Sequence, residues 1–496
     1  MIALRRIGFL GSLGRVAAIG LIALTAGCGG GDMPTSNPGS GVAASQDVAS
    51  AAALRVQTAN GGAETSQRIE KAGERHRAMP SIASGDYHSI ALKSDGTVLA
   101  WGYGVYGQLG NDSTADSSIP VRVVDASATG MLTGVSRIAG GGFHSLALKR
   151  DGTVWAWGYG ANGQLGNNSS ANFPFPVQVV GAGGSGVLTG VTAIAGGDLH
   201  SLALKADGTV WAWGSGVNGQ LGNNSSVNSS VPVQVKGAGG IGVLTGVVAI
   251  AGGGFHSLAL KSDGTVWAWG YDEDGELGNN SIASSSSVPV QVVRSDGTGM
   301  LTGVVAIAGG GYHSLALRSR TVLAWGWGFF GQLGNNGTAA VSAPVQVVGA
   351  GGTGRLTSVA AIAGGTYHSL ALKGDGTVWA WGRNFSGQLG NNDNIGASVP
   401  VQVVGAGGTG SLTDVAAIAG GSDHSLALKD DGTVWAWGGN LNGQLGNNST
   451  ADSSVPVQVL GPDGVGFLKL RVERPSHLDE DAGQGPLISS VVSPSW

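Results

Sequence analysis

Ile194-Ala195-Gly196-Gly197-Asp198-Leu199-His200-Ser201-Leu202-Ala203-Leu204-Lys205-Ala206-Asp207-Gly208-Thr209-Val210-Trp211-Ala212-Trp213-Gly214 is the stretch that decides how this chain folds. His-Ser-Leu-Ala-Leu and Thr-Val-Trp-Ala-Trp are short alternating runs rich in β-branched or aromatic residues, the pattern of strands. Asp207-Gly208 between them is a hairpin signal, because Gly supplies the positive φ of a tight turn. Downstream come Gly219-Gln220-Leu221-Gly222-Asn223-Asn224 and Val231-Pro232-Val233-Gln234-Val235. Pro232 cannot donate to a ladder and suits an edge strand. The unit therefore reads as four short strands.

The same text recurs around His88, His144, His200, His256, His313, His368 and His424, at steps of 56, 56, 56, 57, 55 and 56 residues. The extra residue falls in the serine run 284–287, and the missing one shortens the hairpin at Ser319-Arg320. Both lie at turns, where length changes are tolerated. Seven four-stranded units without a helical pattern predict an all-β fold, a seven-bladed β-propeller over residues 80–472. The first copy lacks a Leu-Thr-Gly-Val segment, and Gly466-Phe467-Leu468-Lys469-Leu470 runs into its place. The two chain ends are expected to share one blade.

The high glycine content, 92 residues in 496, is periodic here and so does not signal disorder. The net charge of −5 includes no basic block, which leaves no nucleic-acid footprint. Arg5, Arg6 and Arg15, an apolar run from Val16 to Thr25, then Ala26-Gly27 before Cys28 have the order of an export signal. The apolar run is too short to cross a bilayer comfortably. Cys28 is the only cysteine, and Thr25-Ala26-Gly27-Cys28 resembles the lipobox of bacterial lipoproteins. By that resemblance residues 1–27 are a signal peptide and Cys28 is the lipid attachment site. The protein is then exported and anchored at the outer membrane or cell surface, with the periplasmic side also open. Residues 28–79 read as a flexible tether and residues 473–496 as a disordered tail.

The repeat text, apolar-small-small-Gly-x-x-His-Ser-apolar-x-apolar followed by Trp-Gly and then Gly-Gln-Leu-Gly, resembles the regulator of chromosome condensation repeat family. It occurs in all seven copies, with Glu276 replacing Gln in the fourth. The family implies a seven-bladed propeller and does not settle function. Its founding member is a nucleotide exchange factor that uses an insertion, and these copies are uniform. A plant member senses ultraviolet light through tryptophans just before the repeat histidine, and no Trp stands there in this chain. A secreted bacterial relative inhibits β-lactamases with one propeller face. Resemblance thus leaves an exchange factor or an enzyme-inhibitor-like binder as alternatives to a lipid-anchored binding scaffold.

The seven histidines, spread over seven blades, are expected to tie blades together rather than to ligate metal. The Trp-x-Trp pairs are expected to pack between blades. Functional clues lie where the copies differ. Before the histidines stand Tyr87, Phe143, Leu199, Phe255, Tyr312, Tyr367 and Asp423. The five aromatics of this ring are candidate partner contacts, weighed against plain rim packing. Loops after Trp-Gly add Trp327, Phe329 and Phe330 in copy five and Asp272, Glu273 and Asp274 in copy four. Copy one carries Tyr103 and Tyr106 there, and copy six Arg383 and Phe385. The acidic run could draw a cation or a basic partner, although such runs are usually solvated faces. No nucleophile elbow, zinc-type His pair or P-loop is present. The expectation is a monomeric, non-enzymatic protein without cofactor or metal that binds a protein or polymer.

Overall fold

The computed structural model describes residues 58–59 and 78–471. Seven antiparallel sheets follow one another in sequence, each contributing four strands in sequence order. In the second blade these are Val135–Gly140, His144–Lys149, Val154–Gly158 and Phe173–Gln178. The third blade repeats them as Val191–Gly196, His200–Lys205, Val210–Gly214 and Ser229–Gln234. The seven-bladed propeller expected from the repeat is the architecture observed. Pro176, Pro232 and their counterparts lie in the outer strands, where a missing N–H costs no ladder bond.

The core lies between blades. Leu146, Leu148, Val154, Ala156, Leu165 and Val179 of blade two pack with Val191, Ile194, Ala203 and Trp213 of blade three. The inner strands approach closely around the axis. A Cβ on Gly196 would strike the backbone carbonyl of Gly140 in the preceding blade, so the Ala-Gly-Gly text is a spacing requirement. Beyond each inner strand the backbone links to the next blade. Asp86 N donates to Gly142 O at 3.2 Å, Gly142 N to Gly197 O at 3.2 Å and Asp198 N to Gly254 O at 3.1 Å. The series continues around the axis until Ser422 N donates to Asp86 O at 3.0 Å.

Two ends of the propeller follow from this topology. At the upper end lie the loops from first to second strand and from third to fourth strand. At the lower end lie the Asp-Gly-Thr hairpins and the links between blades. Hairpins such as Lys149–Thr153 are locked by Asp151 Oδ1, which accepts from Thr153 N at 3.0 Å and Thr153 Oγ1 at 2.7 Å. In blade five Ser319 and Arg320 form a two-residue turn with φ of 49° and 61°.

The chain ends meet at Ser94. Its carbonyl accepts from Ala78 N at 3.1 Å and its N–H donates to Leu470 O at 2.9 Å. Leu470 N in turn reaches Gly432 O in blade seven at 2.9 Å. The terminal segment thus fills the place of the missing Leu-Thr-Gly-Val. It makes the bonds that Gly134 and Val135 make in the next copy, where Gly134 O accepts from Arg150 N and Val135 N donates to Gly96 O, so the two chain ends meet in blade one as expected, although its four strands come from residues 81–122. The proposed signal, Cys28 and tail lie outside the described residues. Within the expected tether, Thr58–Ala59 pairs in parallel with Ile307 and Ala308 on the inner strand of blade five.

Candidate functional site

The repeated histidines are links in a scaffold. His144 Nε2 meets Ser201 Oγ of the next blade at 2.8 Å, and Ser201 Oγ donates to Gln164 O, back in blade two, at 2.9 Å. Because the serine proton goes to that carbonyl, the imidazole must carry its proton on Nε2. The pattern closes the ring with His424 Nε2 and Ser89 Oγ at 3.0 Å. All seven rings are fully buried. Burial pushes the pKa of His144 down to about 3, so it stays neutral. Among the described residues no group of three or more His, Cys, Asp or Glu could hold a metal ion.

The tryptophans divide into two roles. The second of each pair is buried between blades, and Trp157 Nε1 donates to Gln108 O of blade one at 2.9 Å. The first is half-buried near the lower end, beneath the lysine that closes the second strand. Lys149 Nζ lies 4.5 Å from the Trp155 ring centre.

The upper face carries the variation among copies. Tyr103 N donates to Tyr87 O at 2.9 Å, which sets the loop after Trp-Gly directly outside the residue before the histidine. The variable positions therefore form concentric rings about the axis. The sequence predicted one aromatic ring, and the structure makes two clusters. Tyr87 and Phe143, 5.8 Å apart, join Tyr103, Tyr106 and Tyr159 over blades one and two. Phe255, Tyr312 and Tyr367 belong to a larger sector over blades four to six. Leu199 and Asp423 separate the two clusters around the ring.

Trp327, Phe329 and Phe330 lie in that larger sector. Trp327 packs 5.6 Å from both Tyr312 and Tyr367, and stacks on Phe329 at 6.0 Å. Phe330 meets Tyr367 at 5.6 Å and Phe385 at 5.8 Å. Phe329 and Phe385 are 64% and 60% exposed, so the sector ends in aromatic rings open to water. Arg383 completes it. Its guanidinium lies 5.1 Å from Phe385, 5.5 Å from Tyr367 and 5.8 Å from Phe330, and Nη1 binds Asp423 Oδ1 at 2.6 Å. Arg383 and Phe385 were visible as variable loop residues. Their union with Asp423, forty positions away, depends on two blades meeting.

The acidic run is not one surface. Glu273 is exposed at the loop tip and accepts from Tyr271 Oη at 3.0 Å, and Asp274 is half-buried. Asp272 is turned inward, 1% exposed, and is corrected from a partner contact to an interior group. Copies six and seven place Asn384 and Asn440 at this position, with the side-chain oxygen accepting from Leu389 N and Leu445 N. Asp272 Oδ1 does the same with Leu277 N at 3.0 Å, but its other oxygen has no amide hydrogens to give the loop. Burial raises the Asp272 pKa to about 6. Glu276, fully buried where other copies have Gln, is pushed by burial to about 8.

Asp86 and Asp198 also converge at the upper mouth of the central channel. Burial raises both pKa values, Asp86 to about 6, and Asp86 raises Asp198 further. Thr366 Oγ1 donates to Asp86 Oδ1 at 3.3 Å. The cavity they line, mostly with glycines, holds about 30 Å³, the room of one water.

Comparison with known proteins agrees with this geometry. The model of the RCC1-like domain matches residues 133–473, and models of the Regulator of chromosome condensation (RCC1) repeat match residues 95–148 and 81–108. The Ultraviolet-B receptor UVR8 of Arabidopsis thaliana is 30% identical over 428 residues, 84% of this chain and 89% of that protein. The human E3 ubiquitin-protein ligase HERC2 is 32% identical over 373 residues, which are 74% of this chain and only 7% of the ligase. Among solved structures, human WBSCR16 has a TM-score of 0.60 at 24% identity, covering 74% of this chain and 95% of that one. Prp20p of Saccharomyces cerevisiae has a TM-score of 0.59 at 24% identity, covering 75% and 88%. With the family model spanning most of the chain and the repeat closing into its propeller, this protein belongs to the RCC1 repeat family.

Proposed function

We propose that this chain is a binding module that presents the upper face of its propeller to a protein partner outside the cytoplasm, held to a membrane by lipid on Cys28. The carrying observation is the aromatic sector of blades four to six, which ends in the exposed rings of Phe329 and Phe385. Large aromatics in the open are enriched in protein interfaces and costly to leave in water. Protein binding also fits the family, since Prp20p, a propeller of the same fold, binds Gsp1p and histones. The anchor rests on the order of charge, apolar run and Cys28 in the sequence. No catalytic step is proposed, because the convergent acids face a cavity the size of one water.

Photo-cross-linking from position 385 on intact cells, with the partner identified from the adduct, tests the face. A partner that is lost in Phe329→Ser with the fold intact supports the reading, and one caught equally from a lower-face position overturns it. Fatty-acid labelling that persists in Cys28→Ser would refute the anchor independently.

A further inference from the structure

Charge in this propeller is sorted along its axis. Over residues 78–471 the upper loops hold eleven carboxylates and one cation, Arg383. The strands and lower connections hold sixteen cations and eleven carboxylates. The lower cations come largely from repeated text, such as Lys149, Lys205 and Lys261 at the ends of second strands. The sole upper cation is spoken for, because Asp423 binds it at 2.6 Å. Asp272 and Glu276 are buried and Asp86 and Asp198 line the channel, and the seven remaining carboxylates still outnumber the one cation, so the face attracts positive partners and repels negative ones before contact.

The aromatic sector repeats the same logic at close range. In blade six the Arg383 guanidinium sits among Phe330, Tyr367 and Phe385 with Asp423 as counter-charge, a cation–π cage supplied with its own cation. One blade earlier the aromatic sector continues, with Trp327 at the position that Arg383 takes in blade six. Tyr271 lies 6.5 Å from Tyr312, Tyr312 lies 5.6 Å from Trp327, and Trp327 stacks on Phe329. Glu273 is fixed beside them by the Tyr271 hydroxyl, and Asp274 follows. This set contains two carboxylates and no basic residue. An ordinary hydrophobic contact would bring no reason for acids at its edge, and desolvating them without a partner charge would cost affinity.

Resting on the reading of this face as a binding surface, we infer that it takes a cationic segment of a protein partner, whose Lys or Arg side chains meet the exposed Glu273 and the half-buried Asp274 at the edge of the aromatic sector that ends in Phe329.

The test uses the full chain and two fluorescent peptides, one of alternating Arg and Gly and one of alternating Glu and Gly. The Arg peptide is expected to bind, to weaken with salt, and to bind about fivefold more weakly to Glu273→Gln/Asp274→Asn. Asp430→Asn/Asp463→Asn, the same charge change at the lower end, is expected to leave binding unchanged. Equal loss in both double variants, or none in the first, overturns the inference as mere bulk charge. If the Glu peptide binds instead and Phe329→Ser abolishes that binding, the face is a binding surface and the cationic partner is wrong. If Phe329→Ser alters neither peptide, the reading of the face fails as well.

Discussion

Acid should unfold this propeller through its histidines, well above the pH at which ordinary carboxylates titrate. Six of the seven repeat histidines have pKa values lowered by burial to about 3, and His256 is lowered to about 4. An unfolded histidine titrates near 6.5. Below that value the unfolded chain binds protons that the folded chain refuses, so stability is complete above pH 6.5 and falls as pH drops toward 3. Between pH 6.5 and 5.5 each histidine withdraws about 1 kcal/mol, and the seven together about 7 kcal/mol. Buried carboxyls oppose them. Glu276, Asp86, Asp272, Asp198 and Asp423 have pKa values raised by burial, so they favour the folded state as they protonate, and they return about 3–4 kcal/mol over the same interval. A net loss of several kcal/mol remains, against a typical fold stability of about 5–15 kcal/mol. Urea midpoints followed by the fluorescence of the buried Trp157 class, at pH 7.5, 6.5, 5.5 and 5.0, read the effect. A midpoint that holds or rises between pH 6.5 and 5.5 would refute the reasoning, as would resonances assigned to the seven repeat imidazoles titrating near 6.5 in the folded protein.

On the alkaline side, Glu276→Gln restores the residue of the other copies and removes a carboxyl whose raised pKa costs stability once it ionises. It should stabilise the fold by about 3 kcal/mol at pH 8 and by little at pH 5, measured by the same urea series. The turn at Ser319-Arg320 holds two ordinary residues at positive φ, so Ser319→Asn/Arg320→Gly should raise stability by about 1–2 kcal/mol, read as a higher melting temperature. Gly196→Ala forces a methyl group into the Gly140 backbone and should lower the melting temperature sharply, whereas Gly183→Ala, whose added Cβ meets nothing but takes positive φ, should cost about 1 kcal/mol.

The propeller was legible because its determinants are local and recur seven times. Strand alternation, Asp-Gly hairpins and outer-strand prolines each act within a few residues of themselves. The histidine role was legible in kind, since seven equivalent positions on seven blades cannot converge on one ion. Ring closure was legible too, because the place of Leu470 follows from a missing segment, and its bonds to Ser94 and Gly432 are those of the equivalent residues in the other copies. Asp272 was misread. A run of acids has no period, and only the inward turn at this loop position, shared with Asn384 and Asn440, separates it from Glu273 beside it. Arg383 and Asp423 were both noticed as exceptions, and nothing in the chain order pairs them.

Why the two ends of the propeller differ follows from what each must do for the fold. At the lower end the Lys-x-Asp-Gly-Thr text does structural work in nearly every copy, with Asp capping the turn and Lys covering a tryptophan. Substitution there disturbs the hairpin. At the upper end the scaffold needs only the glycines, the histidine–serine links and the Gln-Leu-Gly backbone, all of which sit below the surface. The residues between them are released from packing, and among the small polar groups that fill most of these loops aromatic rings and carboxylates gather over particular blades. Random release would scatter both signs of charge across those positions. Asp116, Asp393 and Asp452 bond loop amides, Asp272 and Glu276 are buried, and Asp86 and Asp198 line the channel, so the bias that the fold does not explain rests on Asp112, Glu273 and Asp274 against one cation that is itself paired, and its cause lies with what the face meets.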